Sequence, residues 1–175
     1  METLKAMNTR KSVRSYTGAL SDEALQTVLK AGQAAPIGRG KYDTMHMTVI
    51  RDKSLLEEID RAGAAFFGDM KLTPLYGAPC LVLVSTVIAD PAAANVPHPN
   101  AAVVIENMSL AATDIGIGSC LIWGCINGLN ADAGLVAKLG LPEGHTVCCG
   151  IVLGETEDAL EEREIPADRI SVSYL

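Results

Sequence analysis

The chain has 175 residues, of which 49% are hydrophobic and 20% are charged, a balance typical of one globular domain rather than of a disordered segment. Its 14 basic and 21 acidic residues give a formal charge of -7, which argues against nucleic acid or an anionic membrane as a partner.

No targeting or membrane signal is evident. Residues 1–5 are not followed by the apolar core of a signal peptide. The longest apolar stretch, residues 101–117, carries Glu106, Asn107 and Asp114, each of which is costly in lipid. We therefore expect a cytoplasmic protein.

A basic segment, residues 10–16, follows a short helix predicted through Leu4 and Met7. It reads Arg-Lys-Ser-Val-Arg-Ser-Tyr and contains no acid. In an extended chain alternate side chains share a face, so Arg10, Ser12 and Arg14 can converge on one small dianion. Guanidinium and hydroxyl groups are suited to phosphate, although a solvated basic turn is the alternative.

The next elements are a helix and a strand. Ser21 is a plausible N-cap for a helix that Pro36 stops. The alternation of Met45, Met47 and Val49 predicts a half-buried strand.

A second helix and a second strand follow. Ser54 and Glu57 are spaced as a capping box at the start of the helix. The continuously apolar run from residue 80 to 87 predicts a fully buried strand.

A long helix that is apolar nearly all round begins near Asn100, which we expect to cap it. Its residues Val104, Met108, Ala111 and Ile115 share one face. A helix of this kind needs cover on every side, so we expect this face to pack against a second copy of the chain.

The last elements alternate again. Residues 120–125 are predicted to form a strand, residues 130–139 a helix closed by Gly140, and residues 145–153 the last long strand.

Two other kinds of site are not indicated. The run Gly116-Ile117-Gly118 follows a helix rather than a strand and lacks the third glycine of a dinucleotide fingerprint. The 5 cysteines are an odd number and read as buried small side chains, and neither they nor the 3 histidines show metal-ligand spacing.

The R-x-S-x-R-x-Y pattern of the basic segment resembles the flavin-phosphate segment of the nitroreductase family. The likeness continues in order along the chain through a series of short motifs: Ala34-Ala35-Pro36, Gly77-Ala78-Pro79, Gly116-Ile117-Gly118-Ser119-Cys120, Leu139-Gly140-Leu141-Pro142 and Leu153-Gly154-Glu155.

The resemblance implies one α+β domain over residues 1–175, with a mixed, largely antiparallel sheet covered by helices. It also implies a homodimer with FMN bound between subunits. The implied reaction is hydride transfer from NAD(P)H, by way of FMN, to a nitroaromatic, a quinone or a similar small acceptor.

The resemblance assigns three groups of residues to the flavin. Those for the phosphate are Arg10, Lys11, Ser12, Arg14 and, near the C-terminus, Arg163. Those that lie against the ring of the partner subunit are Pro36, Ile37 and Gly38. Those near the flavin N5 atom are Trp123 and Gly124.

Each group has an alternative. The glycines after Pro36 are also typical of a turn beyond a helix end. Trp123 could be an ordinary core aromatic, and Arg163 could pair with the neighbouring glutamates at 161, 162 and 164. Lys71 could add charge near the flavin, but it lies outside the motif.

The chain departs from the family after Pro36. Many members carry an Asn and a Gln-Pro-Trp there, whereas this chain reads Arg39-Gly40-Lys41-Tyr42-Asp43. A flavin-binding carrier or sensor without substantial turnover is therefore an alternative function. Another is a flavin-free protein, such as an acyl-phosphate enzyme that uses the same cations.

Overall fold

The structure is a computed structural model that describes residues 2–88 and 96–175. The helices in these residues are α1 (Thr3–Thr9), α2 (Asp22–Gln33), α3 (Lys53–Phe66), α4 (Pro97–Asp114), α5 (Gly124–Ala131) and α6 (Ala133–Lys138). The strands are β1 (Met45–Ile50), β2 (Cys80–Val87), β3 (Gly118–Ile122) and β4 (His145–Gly154).

The four strands form one sheet in the order β1-β2-β4-β3. Every neighbouring pair is antiparallel, so the sheet of the described residues is not mixed as predicted. The two central strands are β2 and β4, and their register shifts between Val84 and Ser85. All of β2 except its last residue is buried, which confirms the predicted buried strand.

Helices cover both faces of this sheet. One face packs against α2 and α4, around buried residues such as Val28, Met108 and Ile151. The other packs against α3, α5 and α6, around Ile59 and Leu129. The α+β class and the cover of helices are therefore confirmed. No helix in the described ranges is long and apolar enough to cross a membrane.

The predicted start of α2 is confirmed. The Ser21 hydroxyl accepts a hydrogen bond of 3.1 Å from the Ala24 N–H, and Asp22 and Glu23 occupy the first turn. Carboxylates there interact favourably with the positive end of the helix dipole. The helix ends at Gln33, before Pro36.

The predicted orientation of α4 is wrong. Val104 and Met108 are buried inside the chain's own core, with Met108 at 0% exposure. Met108 packs so closely on Gly32 of α2 that a Cβ at Gly32 would lie 2.9 Å from the Met108 Cγ. Of the predicted face, Ala111 is half-buried and Ile115 is exposed, while Val103 lies exposed on the opposite side. Val104 and Met108 therefore belong to the core of their own chain and are not available to a second copy.

Two predicted caps are also wrong. The N-cap of α3 is Asp52, whose carboxylate accepts hydrogen bonds from the Leu55 N–H and from the Ser54 hydroxyl. The helix α4 begins at Pro97, which places Asn100 inside its first turn rather than at its cap.

Three predicted boundaries change. The strand expected over residues 120–125 runs from Gly118 to Ile122, and Cys125 belongs to α5. The helix expected over residues 130–139 is divided between α5 and α6, because Asp132 ends one and caps the other. In β1, Val49 is exposed and Ile50 is the buried residue.

Candidate functional site

The basic segment follows α1 and runs beside β3. The Val13 N–H donates to the carbonyl oxygen of Ser119 at 2.8 Å, and the Val13 side chain is fully buried. Ser12 and Arg14, on either side of it, are exposed. The predicted alternation is therefore present, with the valine facing inward and its neighbours facing solvent.

Two cations of the basic segment make loose ion pairs. The Arg10 Nε lies 3.7 Å from an oxygen of Glu106, and the Lys11 Nζ lies 3.2 Å from an oxygen of Asp158. Both pairs are partly exposed, and pairs of this kind contribute little to stability. Either cation is therefore able to exchange its carboxylate for another anion.

Arg14 lies against an aromatic ring instead. Its Cζ atom is 5.5 Å from the centroid of the Tyr76 ring, within the range of a cation–π contact. A hydrogen bond with Tyr76 is also the main cause that raises the pKa of Arg14. Arg14 thus stays charged and lies over the Tyr76 ring.

Arg163 is brought to the same end of the molecule. Its Nε donates to the carbonyl of Asn8 at 3.0 Å, and one Nη donates to the carbonyl of Arg10. Within the part of the chain that the structure describes, Arg163 makes no ion pair with its neighbouring glutamates. It caps the C-terminal end of α1 and stands beside the basic segment.

A cavity of about 450 Å³ opens at the end of β3, next to Arg14. Its aromatic, apolar and basic lining includes Phe67, Lys71, Tyr76, Leu121, Trp123 and Gly124. A volume in this range is typical of small-molecule sites. Because Tyr76 contacts Arg14 and also lines the cavity, the cavity adjoins the basic segment.

Trp123 and Gly124 mark the start of α5. Trp123 is 49% exposed, so it is not a core aromatic. Gly124 is the first helical residue, and the first N–H groups of a helix have no partner within the helix. A Cβ at Gly124 would lie 2.4 Å from the Phe67 ring, so a side chain there would displace that ring.

Phe67, Lys71 and Tyr76 line the cavity but do not belong to the three groups of residues predicted for the flavin. Phe67 and Lys71 reach it because the end of α3 packs beside α5. Tyr76 reaches it through a turn in which both Tyr76 and Gly77 have positive φ angles, 57° and 66°. The charge of Lys71 made it a possible flavin contact in the sequence, whereas no sequence pattern indicated Phe67 or Tyr76.

The residues Pro36, Ile37 and Gly38 do not line this cavity. The Gly38 N–H donates to the Asn100 side-chain oxygen at 3.0 Å, at the start of α4. Pro36 and Gly38 are exposed, whereas Ile37 is buried in the core of its own chain. Within one chain this loop is therefore separate from the cavity beside Arg14.

The larger cavity of about 730 Å³ lies elsewhere, near the start of α2 and the turn between β1 and α3. Its Arg51 pairs with Asp22 at 2.5 Å and donates to the Leu20 carbonyl. Its Asp60 accepts a hydrogen bond from the Leu75 N–H. These polar groups are occupied within the chain, so they give no indication of a ligand.

Thiol and metal chemistry are not indicated at the site. Burial, with a contribution from Asp60, raises the pKa of the Cys125 thiol to about 12, so this residue stays protonated at neutral pH. No group of three or more His, Cys, Asp or Glu residues in the described ranges is placed to hold a metal ion.

Comparison with known proteins gives consistent matches. The sequence model of the Nitroreductase family matches residues 7–155. An Archaeoglobus fulgidus protein with the provisional name NADH dehydrogenase/NAD(P)H nitroreductase is 32% identical over 163 residues, which are 90% of this chain and 87% of that protein.

Solved structures match over nearly the whole chain. A Bacteroides fragilis nitroreductase with bound FMN is 32% identical, with a TM-score of 0.78 over 99% of this chain and 100% of that one. A Desulfitobacterium hafniense nitroreductase with bound FMN is 25% identical, with a TM-score of 0.83 over 99% of both chains.

Proposed function

The chain belongs to the nitroreductase family, and we propose that it is an FMN-dependent oxidoreductase that takes hydride from NAD(P)H and reduces a small acceptor such as a nitroaromatic or a quinone. The FMN bound in the two solved relatives supports the cofactor. The observation that carries the proposal is the position of the basic segment beside an aromatic cavity.

The basic segment fits the phosphate of FMN. Arg10, Lys11 and Arg14 bring three cations to one strip, partly exposed, of a protein whose net charge is negative. The Ser12 hydroxyl adds a neutral donor, and guanidinium groups give paired hydrogen bonds to phosphate oxygens. Arg163 adds a fourth cation, held beside the segment by its bonds to the α1 carbonyls.

The cavity beside Arg14 fits the flavin ring. Trp123 and Tyr76 supply flat apolar surface, and Lys71 supplies a cation at the rim. Gly124 offers an N–H that α5 does not use, and the absence of a side chain allows close approach to that group. We assign this N–H to the flavin N5 atom.

Bound FMN would supply the redox chemistry by accepting a hydride from one substrate and passing it to the next. The chain therefore needs no nucleophile of its own. Its residues bind the phosphate, orient the ring and leave one ring face open to the two substrates in turn.

The complete site would require a homodimer. Pro36 and Gly38 are exposed but lie apart from the cavity of their own chain, so they are free to contact the flavin of a partner subunit. Val103 on the outer side of α4 and Ile115, which directly follows the helix, are exposed apolar residues that a second subunit could cover. Ile37 would contribute only its backbone, because its side chain is buried.

Identifying the bound flavin and measuring turnover tests this function. The purified protein should release FMN, not FAD, when its cofactor is analysed by mass, because the two solved relatives hold FMN and the basic segment is compact enough for one phosphate. It should then oxidise NADH or NADPH in the presence of menadione or a nitroaromatic. A protein with no flavin would contradict the proposal, and one that binds FMN without turnover would be a carrier or sensor.

A further inference from the structure

Tyr76 stands between the two halves of the site. Its ring lies under the guanidinium of Arg14, with 5.5 Å between the Arg14 Cζ and the ring centroid. The same residue lines the cavity that contains Trp123 and Gly124. It is therefore the side chain through which the basic segment and the aromatic cavity meet.

The backbone at Tyr76 is in a conformation that side chains rarely adopt. Its φ angle is 57°, in the left-handed region that favours glycine. Such conformations are kept only where the surrounding structure requires them, and they are common at functional sites. The fold therefore holds the Tyr76 backbone in a conformation that few side chains adopt, and the ring leaves the chain from this point.

Several contacts hold the turn around Tyr76. The Tyr76 N–H donates to the Thr73 carbonyl at 2.7 Å, and the Ala78 N–H donates to the Leu75 carbonyl at 3.0 Å. The Leu75 N–H in turn donates to the Asp60 carboxylate at 2.6 Å. Leu75 and Ala78 are buried at 2% and 5% exposure. The turn is thus fastened to the core on both sides of the tyrosine.

Arg14 has no comparable support of its own. Its side chain is exposed, and no acidic residue in the described part of the chain forms an ion pair with it. The other cations of the segment, Arg10 and Lys11, each pair with a carboxylate. Arg14 alone among the three is held by an aromatic ring.

We propose that Tyr76 is a positioning residue that holds the Arg14 guanidinium ready for the phosphate group of the flavin. This inference rests on the proposed function, because it takes the phosphate ligand from there. An arginine ordered before binding loses less conformational freedom when it binds, which increases affinity. A guanidinium held over a ring by a cation–π contact keeps its N–H donors available for a phosphate.

A comparison of FMN with riboflavin tests this role, because the two differ only by the phosphate. The quenching of flavin fluorescence measures how tightly each flavin binds to the apoprotein. Tyr76→Leu removes the ring beside Arg14 and should weaken FMN binding about two- to fivefold, the loss expected for an exposed cation–π contact. Its affinity for riboflavin should fall by a smaller factor, because riboflavin loses one aromatic wall of the cavity but has no phosphate for Arg14 to bind. Tyr76→Phe keeps the ring and should have a smaller effect.

Three controls make the result specific. Tyr174→Leu changes a tyrosine that is 93% exposed near the C-terminus and should bind FMN as the unchanged protein does. In an Arg14→Ala background, Tyr76→Phe should have no further effect on FMN affinity. Circular dichroism reports whether each variant is folded, and Tyr76→Asn, which removes the ring and tolerates the positive φ angle, decides the question if Tyr76→Leu does not fold.

The possible outcomes separate this inference from the proposed function. Equal weakening of FMN and riboflavin would overturn the positioning role and assign Tyr76 to the ring site or to the fold. Unchanged FMN affinity in a folded variant that lacks the ring would also overturn it. If the unchanged protein binds no flavin at all, the proposed function itself fails.

Discussion

The backbone N–H of Val13 donates to the carbonyl of Ser119 at 2.8 Å, and this bond joins the basic segment to the first half of β3. The same strand ends at Ile122, directly before Trp123 and Gly124. The strand β3 therefore positions both the cations of the basic segment and the start of α5, the two features that we assign to the flavin. This relationship makes the phosphate and ring positions parts of one rigid arrangement.

Removal of two cations tests the phosphate assignment. Arg10→Ala combined with Arg14→Ala should weaken FMN binding by several kcal/mol, because hydrogen bonds to charged groups contribute roughly 1.5–3 kcal/mol each. Titration of the apoprotein with FMN measures the loss. The charge-matched control is Lys30→Ala with Arg61→Ala, two exposed cations on α2 and α3. Equal FMN affinity in both double variants would place the phosphate elsewhere.

The contact between α3 and α5 positions the cavity and has its own test. A Cβ at Gly128 would lie 2.3 Å from the Ala62 carbonyl oxygen, which is backbone and cannot move aside easily. Gly128→Ala should therefore destabilise the protein by about 1–3 kcal/mol, although alanine is the better helix former. Urea unfolding measures the change, with exposed Asn127→Ala as control. A more stable Gly128→Ala variant would show that the helices can separate at no cost.

The two sides of α4 should respond differently to substitution. Met108→Ala removes a fully buried side chain and should lower the free energy of unfolding by about 2–5 kcal/mol. Val103→Ala, on the exposed side, should change the stability of the subunit by about 0.5 kcal/mol or less. Comparable losses in the two variants would contradict the orientation of the helix.

A charge on the outer side of α4 tests the dimer. Val103→Glu adds a carboxylate to the exposed side of α4, three residues from Glu106, so it should weaken association while the subunit stays folded. Sedimentation velocity should find a dimer for the unchanged protein and a shift toward monomer for the variant. FMN affinity should fall together with association, because Pro36 and Gly38 would no longer reach the site. A monomer with full FMN affinity would contradict the shared site.

The pH dependence of stability should report on His145. Burial and then the nearby His46 lower the pKa of His145, so the folded state binds this proton less readily than the unfolded state does. The folded protein is therefore not destabilised by His145 above the ordinary histidine pKa of about 6.5. Its free energy of unfolding decreases as the pH falls below that value, because the unfolded state takes up the proton first. Unfolding measured between about pH 7.5 and pH 5 should show a smaller loss in His145→Gln. An identical slope in the variant would contradict the assignment.

Local signals in the sequence predicted the elements that depend on neighbouring residues. Ser21 caps α2 as expected, because its hydroxyl needs only the N–H of Ala24. Asp52 and Ser54 are both suitable caps for α3, and the aspartate occupies that position with the serine as its hydrogen-bond donor. A choice between two adequate caps is not visible in the pattern alone.

Tertiary contacts decided what the sequence left open. Because α4 is apolar nearly all round, periodicity could not tell which side faces the core, and the close approach of Gly32 to Met108 determines it. The motif located Arg14 but not Tyr76, since a tyrosine at positive φ follows from a turn anchored by buried Leu75. The composition of the basic segment revealed its cations, whereas the contact between Arg14 and the Tyr76 ring could be found only from the fold.

Reduction of the bound flavin by NAD(P)H tests the central claim most directly. FMN-loaded protein is mixed without oxygen with NADH or NADPH in a stopped-flow instrument, and the flavin absorbance near about 450 nm is followed. We expect the band to disappear with at least one donor and to return when menadione is added. The rates of both steps should be fast enough to account for steady-state turnover. A flavin that stays oxidised with both donors would contradict the assignment of this chain as an NAD(P)H-dependent oxidoreductase.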